Sequence, residues 1–401
     1  MDVKREVERQ LSLIERNAET LLPREELAAK LERSLVEKKP LRVKLGIDPS
    51  APHLTLGHAV VLRKLRTFQD LGHTAVLVVG DFTRRIGDPS GKSKTREPMS
   101  PEEIERNMSS YKEQAFLILD PERTEVRYNS EWLGALSFQD VIVLSSKYTV
   151  ARMLERDDFA RRFREGVPIT IMEFLYPLAQ AYDSVAIEAD VELGGSDQRF
   201  NLLIGRDIQR EYGQEPQVIL TMPLLIGTDG VHAMSQSRGN YIGIAEPPEE
   251  QFGKIMSLPD ELMPQYYSLL TDIAWEEVRD LHPKEAKKRL AWEIVRAFHG
   301  EEGAEQGKAH FQRVFEEREV PEVVPEVRLA AESLAPDGTV GIVDLVHATG
   351  LVNSKSEARR LVEQGGVQVD GVRIADVKAR VPFSPPLVVK LGKRRFARFV
   401  G

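Results

Sequence analysis

The stretch RVKLGIDPSAPHLTLGHAVVLRKLRTFQDLGHTAVLVVG (42–80) decides the fold. It opens with a short apolar strand, RVKLGI (42–47), and continues through a proline-containing turn into a helix predicted from Leu56 to Leu71. Gly72 ends that helix, and AVLVVG (75–80) follows as a second buried strand. A strand, a helix and a strand at this spacing predict a βαβ unit with a right-handed crossover. We therefore expect an α/β fold built on a doubly wound parallel sheet.

The rest of the chain extends this pattern in both directions. Residues 1–40 carry apolar residues at helical spacing and are predicted to be helical. Residues from about 100 to 180 are also mostly helical, which predicts an insertion that interrupts the sheet. Apolar strand material returns in SVAIEADVELGG (184–195) and QVILTMPLLIG (217–227), and the charged segment 249–315 is again predicted to be helical.

Four regions follow from these patterns. Residues 1–230 are predicted to form a Rossmann-like domain that contains the helical insertion, and residues 231–315 a polar loop followed by a helical domain. Residues 316–338 hold three prolines and many acidic side chains, which is typical of a linker. Residues 339–401 are predicted to form a small α+β domain.

The charge of the chain is unevenly distributed. The formal net charge is −8, but residues 341–401 hold eleven Lys or Arg and five Asp or Glu, a net +6 against −14 for the remainder. A basic module attached to an acidic body predicts one end that binds a polyanion. An ordinary solvated surface is the alternative interpretation.

Composition excludes several classes of site. The chain has no cysteine, which rules out disulfides and thiolate metal sites. The eight histidines lack HExxH or a similar ligand spacing, so no metal site is expected. No apolar run approaches the roughly 18 residues of a membrane helix, and the charged start lacks the apolar stretch of a signal peptide. We expect a cytoplasmic protein without membrane contact.

The connection LGIDPSAPHLTLGH (45–58) joins the first strand to the first helix, where parallel sheets bind ligands. A helix N-terminus at this point offers free N–H groups to a phosphate. Gly46 and Gly57 permit close approach of a nucleotide, and Ser50 and His58 can hydrogen-bond its oxygens. Taken alone, the segment is better explained as a strand–helix turn with capping residues.

The segment GDFTRRIGDPSGKSKTR (80–96) follows the second strand and is rich in cations. Lys92, Lys94 and Arg96 stand beside two glycines, a composition suited to phosphoryl or nucleotidyl transfer, where charge develops on a leaving group. A surface loop with ordinary charges is the alternative.

Two later segments carry polar residues in a defined arrangement. Tyr176, Gln180 and Asp183 are spaced by four and three residues, which aligns them on one helical face suited to an apolar ligand with one polar end. GGSDQ (194–198) adds a turn with two polar side chains. The alternative for the helical face is a polar, partly exposed surface. DGVHAMSQSRGN (229–240), taken without other information, is a flexible loop.

In combination, these segments resemble class I aminoacyl-tRNA synthetases, and within that class the bacterial tyrosyl-tRNA synthetases. TLGH (55–58) aligns with the HIGH signature of the class and AMSQS (233–237) with its KMSKS signature. DPSG (88–91), QAYD (180–183) and GGSDQ are elements of the tyrosyl branch. SKSEARRLVEQGGVQVDG (354–371) resembles the alpha-L RNA-binding module, and its Ser354 and Glu357 form a potential capping box.

The resemblance implies a role for each matching residue. The tyrosine site would comprise Lys44, Asp88, Asn129, Tyr176, Gln180, Asp183 and Gln198. The ATP site would comprise Gly46, Asp48, Ser50, Thr55, Gly57, His58, Gly195, Asp197, Met234, Ser235 and Gln236. The catalytic groups would be His58, Lys92, Arg96 and Ser237. The RNA-binding groups would be Lys355, Arg359 and Arg360.

The resemblance also implies a reaction and its partners. ATP would enter as its Mg²⁺ complex, with no tightly bound cofactor, and L-tyrosine would be activated to tyrosyl-adenylate and passed to tRNA(Tyr). Asp183 would accept the proton of the tyrosine hydroxyl. Residues 231–315 would contact the anticodon arm. The protein would be a homodimer, with the insertion at its interface.

The sequence departs from the family at several positions. Thr55 replaces the first histidine of HIGH, and Ala233 and Gln236 replace both lysines of KMSKS. Arg84 and Arg85 follow Thr83, where the family usually has a small residue, and we hypothesise that one of these arginines supplies replacement charge near the phosphates.

These departures leave two other functions open. One is a degenerate paralogue that binds structured RNA without efficient activation, and the other is an enzyme for a tyrosine analogue. A tryptophanyl enzyme is less favoured, because Asp183 suits a phenol.

Overall fold

A computed structural model describes residues 2–49, 51–87, 101–316, 325–330, 333–352, 354–392 and 395–400. The chain divides into two compact units, Met1–Lys308 and Ala309–Gly401. Each unit has its own secondary structure and is described separately. Within the described residues, no helix is long and apolar enough to cross a membrane.

The first unit contains a sheet surrounded by helices. Its strands are β1 Thr20–Leu22, β2 Arg42–Ile47, β3 Thr74–Val79, β4 Thr124–Tyr128, β5 Val191–Gly195 and β6 Val218–Met222. The helices that accompany the first three strands are α1 Val3–Glu15, α2 Arg24–Glu37, α3 Leu56–Asp70 and α4 Thr83–Ile86. The helices of the predicted insertion are α5 Pro101–Ala115, α6 Ser130–Leu133, α7 Phe138–Ser146, α8 Val150–Met153, α9 Asp157–Arg164 and α10 Ile171–Ala186. The remaining helices are α11 Arg199–Glu211, α12 Pro248–Met256, α13 Met263–Leu270 and α14 Pro283–Phe311, the last interrupted by a non-helical Gly300.

The strand order β1-β6-β5-β2-β3-β4 creates a ligand crevice. The five strands β2 to β6 pair in parallel, and β1 joins the edge antiparallel to β6. The chain proceeds outward from β2 to β3 and β4, then returns to β5 on the other side of β2. The connections after β2 and β5 therefore diverge, and ligands bind at such a switch point in doubly wound sheets. The predicted doubly wound α/β architecture is confirmed.

The strands form because their sequences are buried on both faces. β2 (RVKLGI) and β3 (TAVLVV) are rich in Val and Leu, and β3 is almost entirely buried, as is typical of a central parallel strand. Between them, α3 buries an apolar face that includes Leu65 and Phe68, and Gly72 follows it at φ +93. The predicted βαβ unit is observed with nearly the predicted bounds.

Two strands were mispredicted as helical. Thr20–Leu22 is the edge strand β1. It was predicted to be helical because the apolar Leu21 and Leu22 continue the helical spacing of α1. Asn17, at positive φ, turns the chain out of that helix. The predicted helical insertion contains β4, which pairs with β3 from Ala75↔Thr124 to Val79↔Tyr128. This polar five-residue strand, TEVRY, has no apolar run to mark it.

The second unit is a small α+β structure. Its strands are β7 Glu326–Val327, β8 Thr339–Gly341, β9 Val367–Val369, β10 Val372–Ile374, β11 Arg380–Pro382, β12 Leu387–Leu391 and β13 Arg395–Phe399, and its helices are α15 Ile342–Ala348 and α16 Lys355–Glu363. One sheet has the order β10-β9-β12-β13-β7 and a second pairs β11 with β8. The predicted linker 316–338 therefore contributes a strand, β7, which pairs in parallel with β13.

Candidate active site

A cavity of about 660 Å³ lies at the carboxyl ends of β2 and β5. Its lining includes sixteen of the residues predicted for the tyrosine, ATP and catalytic sites, together with Ala233, Arg84 and Thr83. Five of the sixteen come from the predicted tyrosine site: Asn129, Tyr176, Gln180, Asp183 and Gln198. The other eleven come from the predicted ATP and catalytic sites: Gly46, Asp48, Thr55, Gly57, His58, Gly195, Asp197, Met234, Ser235, Gln236 and Ser237. Residues far apart in sequence thus share one concave site.

Asp183 forms the deep end of the cavity. Asp183 is 3% exposed. Its two carboxylate oxygens accept hydrogen bonds from Trp132 Nε1 at 2.8 Å and from Asn129 Nδ2 at 3.3 Å. Burial raises the pKa of Asp183 to about 7, and the positive charge of Lys44 opposes that rise. The carboxyl group is therefore held by two donors and is poised to accept one more.

A network of short hydrogen bonds connects this end to Asp48. Tyr176 donates its hydroxyl to Asp48 Oδ2 at 2.8 Å, and Thr83 Oγ1 donates to Asp48 Oδ1 at 2.9 Å. Asn129 Nδ2 donates in turn to Thr83 Oγ1 at 3.0 Å. Gly80 makes this arrangement possible, since a Cβ there would lie 2.0 Å from Asp48 Oδ1. Asp48 and Asp183 therefore face one space across a connected polar wall.

Lys44 lies beneath the cavity and does not line it. Its side chain is fully buried, and its ammonium contacts Glu192 Oε1 at 2.8 Å, Ser184 Oγ at 2.8 Å and the Gln180 carbonyl oxygen at 2.9 Å. These three acceptors match its three donors. The β2–β5 pairing places Lys44 directly opposite Glu192, and the predicted contact between Lys44 and tyrosine stays a prediction.

Gln180 and Gln198 are joined through Asn201. Asn201 Nδ2 donates to Gln180 Oε1 at 3.1 Å and to Gln198 Oε1 at 3.0 Å. Arg156 Nη1 donates to Asn201 Oδ1 at 3.3 Å. Arg156 and its ion-pair partner Asp158 are both buried. The two glutamines, which come from α10 and from the turn before α11, are therefore fixed relative to each other.

His58 and Thr55, which also line the cavity, cap the start of α3. The Thr55 N–H donates to His58 Nδ1 at 3.1 Å, and Thr55 Oγ1 lies 2.9 Å from the same nitrogen. Enclosure by the protein lowers the pKa of His58 to about 4, so the imidazole is neutral near pH 7. Thr55, which replaces a histidine of the signature, has a defined structural role as the N-cap residue.

The loop 233–237 forms the outer wall. Met234 N–H donates to the Leu225 carbonyl at 2.8 Å, and Ser235 N–H donates to Asn240 Oδ1 at 2.8 Å. The Gln236 side-chain amide donates to the His53 carbonyl, which lies in the connection before α3. The predicted flexible loop is thus tied at three points, and one of them joins it to the opposite side of the cavity.

The two additional arginines differ in location. Arg84 lines the cavity and is 5% exposed, whereas Arg85 is exposed and does not line it. Within the described residues, no group of three His, Asp or Glu side chains is arranged to hold a metal ion.

Comparisons with known proteins agree with this geometry. The family model for class I tRNA synthetases (W and Y) matches residues 36–316, and the S4 domain model matches residues 340–384. A tyrosine–tRNA ligase of Thermotoga maritima is 56% identical over 98% of each chain. The chain belongs to the tyrosine–tRNA ligase family.

Further relatives of the tyrosine–tRNA ligase family point the same way. The enzyme of Aquifex aeolicus is 52% identical over 98% of this chain and 99% of its own. A structure of the Archaeoglobus fulgidus tyrosyl-tRNA synthetase complexed with L-tyrosine is 25% identical and covers 75% of this chain and 99% of its own, with a TM-score of 0.62. The predicted recognition, fold class and enzyme class are confirmed.

Four residues of the predicted site lie outside the described part of the chain. Several residues that the structure places at the site were not predicted from the sequence. Ser50, Asp88, Lys92 and Arg96 lie outside the described ranges. Trp132 was missed, although its position three residues after Asn129 is a signal that could have found it, since one turn of α6 brings both to Asp183. Thr83, Asn201 and Glu192 were also missed as supports of the site, because their contacts depend on tertiary structure.

The second unit presents the predicted basic residues of the S4-like module on one helix. Lys355, Arg359 and Arg360 are exposed on α16, and Lys355 also contacts Asp344 at 2.7 Å. Ser354 caps the helix by accepting a hydrogen bond from Glu357 N–H at 3.2 Å, as the sequence predicts. The buried core beneath α16 holds these cations on a fixed scaffold.

Proposed function

We propose that this chain activates L-tyrosine with ATP and transfers it to tRNA(Tyr). The observation that carries the proposal is a single cavity lined both by buried Asp183 and by residues at the capped start of α3. The family to which the chain belongs supports the same reaction. No finding favours a paralogue that only binds RNA.

In the proposed reaction, tyrosine enters with its phenol toward Asp183. The carboxylate accepts the phenol proton in a hydrogen bond, while Trp132 and Asn129 hold its two oxygens. Phenylalanine would occupy the same space without that donor and would leave a buried acceptor unsatisfied, which is costly. Gln180 and Tyr176, on the same face of α10, are proposed to receive the amino group, and Gln198 the carboxylate.

ATP is proposed to occupy the side of the cavity near α3 and the loop 233–237. Gly46 and Gly57 leave room for the nucleotide, and a Cβ at Gly46 would meet no atom within 4 Å. Asp48 and Asp197 are proposed to face the ribose, and neutral His58 and Ser237 the phosphates. Mg²⁺ would enter with ATP as part of the substrate. The tyrosine carboxylate then attacks the α-phosphate and pyrophosphate leaves, so the protein contributes positioning and electrostatic stabilisation.

The second unit is proposed to bind tRNA through α16. Three exposed cations on one helix suit the phosphate backbone of structured RNA. We propose that residues 231–315 contact the anticodon arm. The cytoplasm as location and the linker role of residues 316–338 remain predictions.

A homodimer formed through the insertion is the proposed assembly. Large apolar side chains are exposed on its helices, among them Phe138 at 81%, Phe163 at 67% and Ile171 at 79%. Exposed apolar clusters of this kind are typical of protein interfaces. Light scattering after size-exclusion chromatography is expected to give the mass of two chains, and a monomer at assay concentration would contradict the proposal.

Tyrosine-dependent ATP–pyrophosphate exchange, followed by charging of tRNA(Tyr), tests the proposed function. We expect exchange with tyrosine and at most weak exchange with phenylalanine. RNA binding without exchange would instead support a degenerate paralogue, and exchange only with a modified tyrosine would support an enzyme for an analogue.

A further inference from the structure

Arg84 has an unusual position among the residues that line the cavity. No other lysine or arginine in the described part of the chain lines it, whereas three acids, Asp48, Asp183 and Asp197, do. The side chain is nearly inaccessible to solvent, at 5% exposure of the residue. A cation enclosed in protein acts on a nearby anion more strongly than a cation in water, because little solvent screens it.

The backbone of Arg84 is fixed at the carboxyl end of β3. Its N–H donates to the Gly80 carbonyl at 2.9 Å, in the connection that leads from β3 into α4. The preceding residue, Thr83, donates its hydroxyl to Asp48 at 2.9 Å. Arg84 is therefore anchored next to the polar wall that joins Asp48 to Asp183, rather than carried on a free loop.

Among the described residues, the loop 233–237 supplies no positive side chain to the cavity. Ala233 is apolar, and the amide of Gln236 already donates to the His53 carbonyl. A nucleoside triphosphate carries about four negative charges, and stabilising charge that develops on its leaving group is a major component of such catalysis. Arg84 is the group in the described cavity with the charge to meet this need.

We propose that Arg84 contacts the phosphates of ATP and stabilises the departing pyrophosphate. This inference rests on the proposed function. A bond forms between the tyrosine carboxylate oxygen and the α-phosphorus, and the bond from that phosphorus to the oxygen bridging to the β-phosphate breaks. The electron pair remains on the pyrophosphate, where the guanidinium donates hydrogen bonds to its oxygens without transferring a proton. Arg85, exposed and outside the cavity, has no part in this contact.

The test compares Arg84→Gln with Arg85→Gln in tyrosine-dependent pyrophosphate exchange. The first variant is expected to lower kcat by about 10²-fold, because one preorganised donor to developing charge is lost. Tyrosine binding, measured by equilibrium dialysis without ATP, is expected to stay within about twofold for both variants, and Arg85→Gln is expected to retain its kcat. Arg84→Lys, which keeps the charge but loses the planar fork, should fall between wild type and Arg84→Gln.

A second substitution separates charge from structure. Gln236→Lys places a cation on the loop 233–237, which also lines the cavity, and in the Arg84→Gln background it is expected to recover about tenfold of the lost kcat. Equal kcat for Arg84→Gln and Arg85→Gln would overturn the inference, as would a loss of tyrosine affinity that matches the loss of kcat. Absence of exchange in the wild-type protein would instead reject the proposed function.

Discussion

Burial raises the pKa of Asp183, and the hydrogen bonds from Trp132 and Asn129 act against that rise. The pKa of its carboxyl group rises to about 7 in the folded chain from an ordinary value of 3.8. Because the folded state then holds a proton that the unfolded state releases, this residue lowers stability as pH rises between those two values. This loss of stability is a consequence of burying the Asp183 carboxyl group, a hydrogen-bond acceptor, in the lining of the cavity.

Substitution of Asp183 by Asn removes that pH dependence. The free energy of unfolding of wild type minus that of Asp183→Asn is expected to fall by roughly 2 kcal/mol between pH 5 and pH 7, and to change little above pH 8. Urea titrations of both proteins across this range measure the difference, in which contributions of all other groups cancel. A constant difference would show that Asp183 has an ordinary pKa.

The buried pair of Lys44 and Glu192 gives a second prediction. Lys44→Met leaves an uncompensated buried carboxylate and is expected to cost about 3–5 kcal/mol of stability, and Lys44→Met with Glu192→Gln is expected to be less destabilised. Lys30→Met is the matched control, since Lys30 is equally buried but its partner Asp190 is 25% exposed. Chemical denaturation measures all three variants. An equal cost at Lys30 and Lys44 would contradict the account.

The sequence predicted which residues line the cavity better than it predicted their contacts. Tyr176, Gln180 and Asp183 share a face of one helix, so spacing alone aligned them. The pairing of Lys44 with Glu192 could not be predicted, because Glu192 lies on a neighbouring strand far along the chain and only sheet pairing brings the two residues together. Trp132, in contrast, is one turn of α6 from Asn129 and could have been found from local spacing.

At the scale of elements, buried apolar strands and capped helices were predictable and the two edge strands were not. β2, α3 and β3 carry strong local signals in apolar runs and a glycine stop. β1 has only three residues and β4 is mostly polar, and both form because neighbouring strands offer free edges. Pairing with neighbouring strands therefore determined that β1 and β4 are strands, which local propensity alone did not predict.

Helix α16 carries the prediction for RNA. Combining Lys355→Gln, Arg359→Gln and Arg360→Gln is expected to weaken tRNA binding and to reduce the slope of log Kd against log salt by about two, through loss of phosphate contacts. The matched control removes three exposed cations from α1 (Lys4→Gln, Arg5→Gln and Arg9→Gln) and should leave the slope unchanged. Filter binding at several salt concentrations measures both. An equal change in slope for the α16 and α1 variants would show that the salt dependence reflects net charge alone.

At the scale of the whole molecule, the two units are expected to divide the reaction. Deletion of 339–401 should leave pyrophosphate exchange within about twofold and lower tRNA charging by at least about tenfold, because phosphate contacts are lost while the cavity remains. Exchange and charging rates on the same preparation provide the comparison. An equal loss of both activities would contradict separate roles.

The central claim is that one cavity binds the phenol and the nucleotide together. A crystal structure with a non-hydrolysable tyrosyl-adenylate analogue tests it most directly. We predict the phenol oxygen within hydrogen-bond distance of Asp183, the ribose beside Asp48 and Asp197, and the linkage that replaces the phosphate facing His58. An analogue bound elsewhere, or bound with its phenol away from Asp183, would contradict the account.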